Sequence, residues 1–201
     1  IAKSYDNKLK YFKSTNQNIL GEARYLAMQM CNSKYICFLD CDDEYMPNKL
    51  LTQYNFMEKT KYVFSCSQEI LINDKGFNIY TPKIKIKSGY IFRDLLVNYQ
   101  IGFQSAMIRK SLLDRENISF SKKFTNFCDY DLFMRIACNH QIGAIHEPLV
   151  KHRITKDSLT SSAYERVSLE MKSTLDDIFL NNPNLKIKYN NELKKSYNKL
   201  S

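Results

Sequence analysis

The spacing of apolar residues divides the chain into short alternating elements. KLKYFKST (8–15) alternates as a strand does. After a polar turn, GEARYLAMQMC (21–31) repeats at helical spacing, with Ala23, Leu26, Ala27 and Met30 as its apolar stripe. In YICFLD (35–40), consecutive apolar residues leave neither face for water, which predicts a central strand covered on both sides. Pro47 suits the first turn of a helix continued by Leu50, Leu51, Tyr54 and Met57, about three turns long. YVFSCSQEILI (62–72) and FNIY (77–80), joined by NDKG, predict two strands and a turn. SGYIFRDLLVN (88–98) reads as a helix and FQSAMIRK (103–110) as a strand. A further helix starts near Cys128, and IGAIHEPLVKHRI (142–154) is extended. The last forty or so residues change character: Tyr164, Val167, Met171, Leu175 and Ile178 recur at helical spacing, and a basic helical tail follows. This order predicts an α/β layered sheet over 1–158 with a helical segment over 159–201.

At 201 residues and 44% hydrophobic content, the chain is long enough to bury one real core. Its six cysteines form no CxxC pair and no regular framework, so they read as buried thiols of a reducing compartment. No stretch has the roughly 18 apolar residues of a membrane helix, and the start lacks a signal peptide's apolar middle, which predicts a cytoplasmic protein. The formal net charge of +9 comes from lysines spread along the chain, denser in KIKIK (83–87) and in the tail. Such a surface favours anionic partners and lets the tail helix lie on the inner face of an anionic membrane, or simply cover one edge of the sheet. No Arg-rich helix, zinc spacing or aromatic-basic pattern points to nucleic acid.

Against this basic background, Asp40, Asp42, Asp43 and Glu44 place four carboxylates within five residues, directly after a buried strand. Open α/β sheets collect ligands at the carboxyl ends of their strands. There the cluster can hold Mg²⁺ or Mn²⁺ through oxygen ligands, an arrangement suited to the departure of a diphosphate. A solvated loop in which Asp43 or Glu44 caps the next helix is the plain structural alternative.

In CDYDLFMRIA (128–137), helical geometry puts Leu132, Phe133, Ile136 and Ala137 on one stripe with Asp129 in the middle of its sector. Asp131 falls roughly opposite, four residues before Arg135, as an ordinary surface pair. A carboxylate turned inward at a helix start is either a cap or a catalytic group at a cleft. His140, His146 and His152 recur every six residues, which along a strand separates neighbours by roughly 20 Å, too far for one shared ion.

NILGEAR (18–24), YICFLDCDDEYMPNKL (35–50), CDYDLFMR (128–135) and PLVKHR (148–153) follow one another in an order and spacing that resemble family 2 glycosyltransferases of the GT-A fold. The resemblance covers about residues 7 to 160. It implies a mixed, mainly parallel sheet flanked by helices and the transfer of a sugar from a nucleotide-diphosphate donor to a glycan or lipid-linked acceptor hydroxyl, as in bacterial surface glycan assembly. It further implies Asp42 as the principal ligand of Mn²⁺ or Mg²⁺ with Asp43 assisting, and Asp40 near the donor's ribose or sugar. Arg24 and Arg153 would approach the nucleotide or its diphosphate, with His152 beside them, and Asp129 would be the base of an inverting displacement. Three departures stand out. The family's N-terminal strand and following βαβ segment have no counterpart, which predicts a fragment or shortened copy. The family's Glu before the base is Cys128, and its histidine after the arginine is Thr155. Two other readings compete: a degenerate, non-catalytic binding module, and an aspartyl-phosphate phosphatase, whose motif Glu44 does not fit.

Overall fold

A computed structural model of the chain describes residues 9–12, 19–81, 87–155 and 164–200. Of the strand expected over 8–15, residues 9–12 are described and form no strand, while the rest of it and the boundary expected near 158 lie outside the described residues. In chain order the helices are α1 (Leu20–Gln29), α2 (Lys49–Thr60), α3 (Phe92–Val97), α4 (Lys110–Glu116), α5 (Cys128–Ala137), α6 (Tyr164–Asn181), α7 (Pro183–Lys188) and α8 (Asn190–Leu200). The strands are β1 (Tyr35–Cys37), β2 (Glu44–Tyr45), β3 (Phe64–Ile72), β4 (Asn78–Tyr80), β5 (Met107–Arg109) and β6 (Ile142–Arg153).

The strands form one sheet in the order β1-β5-β3-β6-β2, with β4 added alongside β3. Parallel pairing is confined to β3 with β6, the longest ladder, and the other pairs are antiparallel. The sheet is therefore mixed, but the expected parallel majority is not found among the described residues. β1 departs further from expectation. It is three residues long, pairs only with β5 among the described residues, and buries only Ile36 fully. The apolar run that suggested a central strand is thus paired on one side only among the described residues.

Strand alternation puts a layer of helix on each face of the sheet. Phe64 meets Phe133 of α5, with ring centroids 5.0 Å apart. The next residue, Ser65, faces α2, where its Oγ accepts a hydrogen bond from Gln53 Nε2 at 3.2 Å. α2 buries Lys49, Gln53 and Met57 and exposes Leu50, Leu51 and Tyr54, so that of the expected apolar stripe only Met57 turns inward. Specific partners explain the inversion. Lys49 Nζ donates to Gln53 Oε1 at 2.6 Å and lies 4.3 Å from the Tyr45 ring centroid, while Gln53 also donates to the Ser105 carbonyl at 2.9 Å. A buried polar row of this kind is tolerated because its members satisfy one another.

α1 differs too. It buries Gly21 and Met28, whereas Leu26 and Met30 of the expected stripe are exposed. Gly21 N donates to Phe124 O at 2.9 Å, and a Cβ at this position would overlap the carbonyl oxygens of Ser121 and Phe124.

The C-terminal helices are continuous with the core. Leu175, Ile178 and Phe179 of α6 and Leu193 of α8 belong to the same buried cluster as Phe64 and Phe133. This cover buries Asp131, expected at the surface. Asp131 keeps its Arg135 partner at 2.9 Å and accepts from Thr174 Oγ1 at 3.1 Å. Glu170 of α6 makes the tightest link. Its carboxylate accepts from the backbone N–H groups of Thr125, Asn126 and Phe127 at 2.6, 3.0 and 2.7 Å, and from the Thr125 hydroxyl at 2.9 Å. A carboxylate from another helix thus gathers the donors leading into the start of α5, where a negative charge is favoured.

Two stability predictions follow from these contacts. Gly21→Ala should cost about 2–4 kcal/mol, because backbone rather than a yielding side chain occupies the space. Glu170→Ala should cost a similar amount, about 2–4 kcal/mol, by stranding buried N–H groups, with Glu170→Gln roughly half as severe. Urea unfolding at neutral pH measures both.

Candidate active site

β6 is interrupted where it passes Pro148. Ser67 of β3 pairs with Ile145, Gln68 with Pro148 and Glu69 with Val150, so β6 bulges outward before rejoining the ladder. Proline supplies no backbone donor there. Beyond the bulge, β6 pairs with β2 and delivers His152 and Arg153 to the acidic segment. All three nitrogens of the Arg153 guanidinium bond to protein: Nε donates to the Asp42 carbonyl at 2.8 Å, Nη1 to the carbonyls of Asn73 and Asp74 at 2.8 and 3.2 Å, and Nη2 to Glu44 Oε1 at 3.0 Å. Arg153 thereby ties the acidic segment to the turn at Asn73 and Asp74.

The acidic residues divide into separate environments. Asp43 turns inward, where one oxygen accepts from Arg153 N at 2.7 Å and the other from Gln104 Nε2. Burial pushes its carboxyl up to about 6, against the lowering effect of the Arg153 N–H. Each Asp43 oxygen thus has one partner within the protein. Asp42 is exposed on the rim of a cleft of about 540 Å³. Asp40 is held by Arg24, whose Nη2 lies 3.0 and 3.2 Å from its two oxygens.

Arg24 bridges the cleft. Its Nη1 is 3.4 Å from Cys128 Sγ and 3.9 Å from Asp129 Oδ1, and its guanidinium stacks 3.6 Å from the Phe103 ring centroid. The first turn of α5 therefore meets the end of the first-strand region through one cation. Asp129 lines the cleft with its side chain 14% exposed, and burial raises its carboxyl to about 6, partly offset by Arg24. Burial likewise pushes the Cys128 thiol up to about 11, so it stays neutral. Arg24, Asp40, Asp42, Asp43, Asp129 and Arg153 all line this one cleft. Its chemistry is a carboxyl poised near neutrality on one wall, an exposed carboxylate on the other and a paired arginine between them.

Several lining residues carry no readable signal in the sequence. Among the described residues, the buried Tyr99 hydroxyl, Gln104 Oε1 and Asn126 Nδ2 have no hydrogen-bond partner, and all three residues border this cleft. Buried polar groups are normally satisfied, so three orphans at one cleft suit a polar ligand. Gln104 sits in a stretch read as a strand but folded as a 3₁₀ turn, Phe103–Ser105. His152 also lines the cleft, its Nδ1 3.5 Å from Glu69 Oε2, and that hydrogen bond, with Asp43 and Asp42 nearby, raises its pKa. The cysteines are all free, but only Cys66 and Cys128 are buried and Cys41 is exposed.

No group of three or more His, Cys, Asp or Glu residues among the described residues could enclose a metal ion by itself. The donors nevertheless suit a hard cation. Asp42 presents an exposed carboxylate at the cleft rim, and Mg²⁺-type ions are commonly held by one or two carboxylates together with substrate phosphates. The residues thus fit a cation that arrives with, and is completed by, a diphosphate.

The family model described as Glycosyl transferase family 2 matches residues 1–115. An uncharacterized glycosyltransferase of Rickettsia conorii is 32% identical over 150 residues, which are 75% of this chain and 24% of that protein. The UDP-Glc:alpha-D-GlcNAc-diphosphoundecaprenol beta-1,3-glucosyltransferase WfgD of Escherichia coli is 27% identical over 186 residues, 92% of this chain and 70% of its own length. Among solved structures, S. aureus TarS 1-349 is similar with a TM-score of 0.65 at 14% identity, covering 88% of this chain and 51% of that one. TarS 1-349 in complex with UDP-GlcNAc gives 0.59 at 18% identity, covering 83% and 51%. The chain thus spans about a quarter of the Rickettsia relative and about half of TarS 1-349. The likeness to TarS shows a shared GT-A-type fold, a mixed sheet flanked by helices. With more than half of its length matched by the family model, the chain belongs to glycosyl transferase family 2.

Proposed function

We propose that this chain carries the catalytic region of an inverting glycosyltransferase that moves a sugar from a nucleotide-diphosphate donor to an acceptor hydroxyl. The observation that carries this reading is Asp129, a mostly buried carboxyl raised to about 6 on the wall of the cleft that Asp42 borders. Near neutral pH such a group is ionised yet basic enough to accept a proton from an attacking hydroxyl. Asp42 would hold Mn²⁺ or Mg²⁺ against the donor's phosphates, and the cation supplies charge neutralisation of the departing diphosphate. Asp40 would meet the donor's ribose or sugar, with Arg24 orienting it and tempering Asp129. Arg153 serves the donor site indirectly, by fixing the Asp42 segment, and Asp43 acts as an inward anchor instead of a second ligand.

The catalytic region 1–158 and the helical segment 159–201 would work as one unit, since Glu170 grips the entry to α5. A glycolipid acceptor is favoured by the printed activity of WfgD on a diphosphoundecaprenol-linked sugar. On that reading the protein would work at the cytoplasmic face of a membrane, as a peripheral partner. No helix among the described residues is long and apolar enough to cross one. A phosphatase would need Asp40 as a free nucleophile, but Arg24 binds both its oxygens.

Calorimetric titration with UDP and GDP, with and without Mn²⁺, tests the donor site. Cation-dependent binding that Asp42→Ala removes supports the reading; nucleotide binding insensitive to both cation and mutation refutes the role of Asp42. Asp129→Asn should leave nucleotide affinity unchanged and lower transfer about 10²–10⁴-fold. Loss of nucleotide binding in that variant would instead make Asp129 a donor ligand. Because Asp129 is protonated below its pKa of about 6, kcat/KM should fall as pH drops through that value, approaching about tenfold per unit on the acid side. An acid limb near the ordinary aspartate pKa would contradict the assignment.

A further inference from the structure

The Tyr99 hydroxyl, Gln104 Oε1 and Asn126 Nδ2, unpartnered among the described residues, have a definite hydrogen-bonding character as a set. Burial, and then the charge of Asp129, push the Tyr99 hydroxyl well above its ordinary value, so it stays protonated and can both donate and accept. Gln104 Nε2 is committed to Asp43 Oδ2, which leaves Oε1 as an acceptor for a donor from elsewhere. Asn126 Nδ2 is a donor, and its residue is held in place by Glu170, which accepts from the Asn126 backbone N–H at 3.0 Å. One group that does both, one acceptor and one donor suit the hydroxyls of a sugar, which also do both. They do not suit an ionised phosphate, which brings no proton for Gln104 Oε1.

Their placement spans the cleft. Gln104 is one hydrogen bond from Asp43, the neighbour of Asp42, whereas Asn126 lies three residues before Asp129 on the opposite wall. Tyr99 packs on that wall too, its ring centroid 4.8 Å from that of Tyr130 and 6.4 Å from that of Phe127. In a single displacement the transferred sugar lies between the departing diphosphate and the base. With the diphosphate at Asp42 and the base at Asp129, these three side chains border that interval.

The charge of the lining selects further. Four aspartates and two arginines line the cleft, among the described residues no lysine does, and both arginines are bonded to protein groups. A sugar bearing its own carboxylate would add a like charge beside Asp129 and Asp43. An uncharged ring adds none and brings partners to the unpaired groups. We propose that Tyr99, Gln104 and Asn126 bind the hydroxyls of the transferred sugar, and that this sugar is an uncharged hexose or N-acetylhexosamine rather than a hexuronate. The inference rests on the glycosyltransferase reading and adds to it the residues that recognise the sugar.

Calorimetry in the presence of Mn²⁺ tests it on three kinds of ligand. These are the free nucleotide that binds (UDP or GDP), the tightest of its neutral sugar esters (UDP-glucose, UDP-galactose, UDP-N-acetylglucosamine or GDP-mannose) and its hexuronate (UDP-glucuronate or GDP-mannuronate). The hexuronate should bind at least about tenfold more weakly than the neutral ester. Tyr99→Phe and Asn126→Ala should each weaken the neutral ester about 3–10-fold and leave the free nucleotide unchanged. Tyr99→Phe should also melt no lower than the parent, because it deletes a buried hydroxyl with no hydrogen bond to lose among the described residues. A hexuronate bound as tightly as the neutral ester overturns the choice of sugar. Variants that bind the neutral ester as the parent does, including any that only raise KM for the acceptor, overturn the role of these residues. An equal loss of free nucleotide and ester does the same. Failure of the glycosyltransferase reading would show separately, as no binding of either free nucleotide by the parent.

Discussion

The candidate site depends first on where one arginine side chain comes to rest. Arg153 reaches its position because β6, after following β3 in parallel, bulges at Pro148 and then resumes pairing with both β3 and β2. Its guanidinium then bonds carbonyls from the acidic loop and from the β3–β4 turn, and closes on Glu44. A planar group with five donors in a fixed fork can reach acceptors spread over separate segments, where lysine's ammonium offers three donors from a single atom. Its backbone N–H completes the arrangement by drawing Asp43 inward. Asp42, one residue earlier, is consequently left at the rim.

The opposite wall of the cleft has its own anchor, and it comes from the far end of the chain. Without Glu170, the segment 125–127 that leads into α5 would present several backbone donors with no acceptor, close to where Asp129 sits. The C-terminal helices do more than cover the sheet, because they set the approach angle of the helix that carries the buried carboxyl. Asp131, held by Arg135 and Thr174, ties the same helix to α6 a turn further on. Two walls built by distant parts of the sequence are then joined across the gap by Arg24.

Much of this architecture was legible as element type, and much less as orientation. The strands at 64–72 and 142–153 and the helices at 49–60 and 128–137 lie where periodicity puts them. The faces of α1 and α2 were misread for a common reason: hydrophobic stripes assume that apolar residues turn inward. In α2 the inward face is the polar row Lys49 and Gln53, fixed by partners on β3 and the 3₁₀ turn that no local pattern announces. In α1, Gly21 faces inward because its missing side chain permits close backbone approach, while Ala23 and Ala27 border an open groove along β1. The acidic cluster and Asp129 stood out by composition and spacing. The different settings of Asp42 and Asp43 did not, since they are made by Arg153, 111 residues from Asp42, and Gln104, 61 residues from Asp43.

The substitution at position 128 bears directly on how Asp129 is tuned. A carboxylate there would compete for Arg24 and place a like charge beside Asp129, and like charges raise a carboxyl's pKa. Cys128 avoids both effects. Burial keeps its thiol neutral, so it accepts a weak hydrogen bond from Arg24 without neutralising the guanidinium. The positive charge of Arg24 remains shared between Asp40 and Asp129, and it offsets part of the burial that would otherwise hold Asp129 protonated. Burial and this single cation together bring the carboxyl to about 6, ionised at neutral pH but still basic. The loss of one acidic residue from the motif is thus compatible with a working base, provided Arg24 keeps its place over Phe103 between the two aspartates.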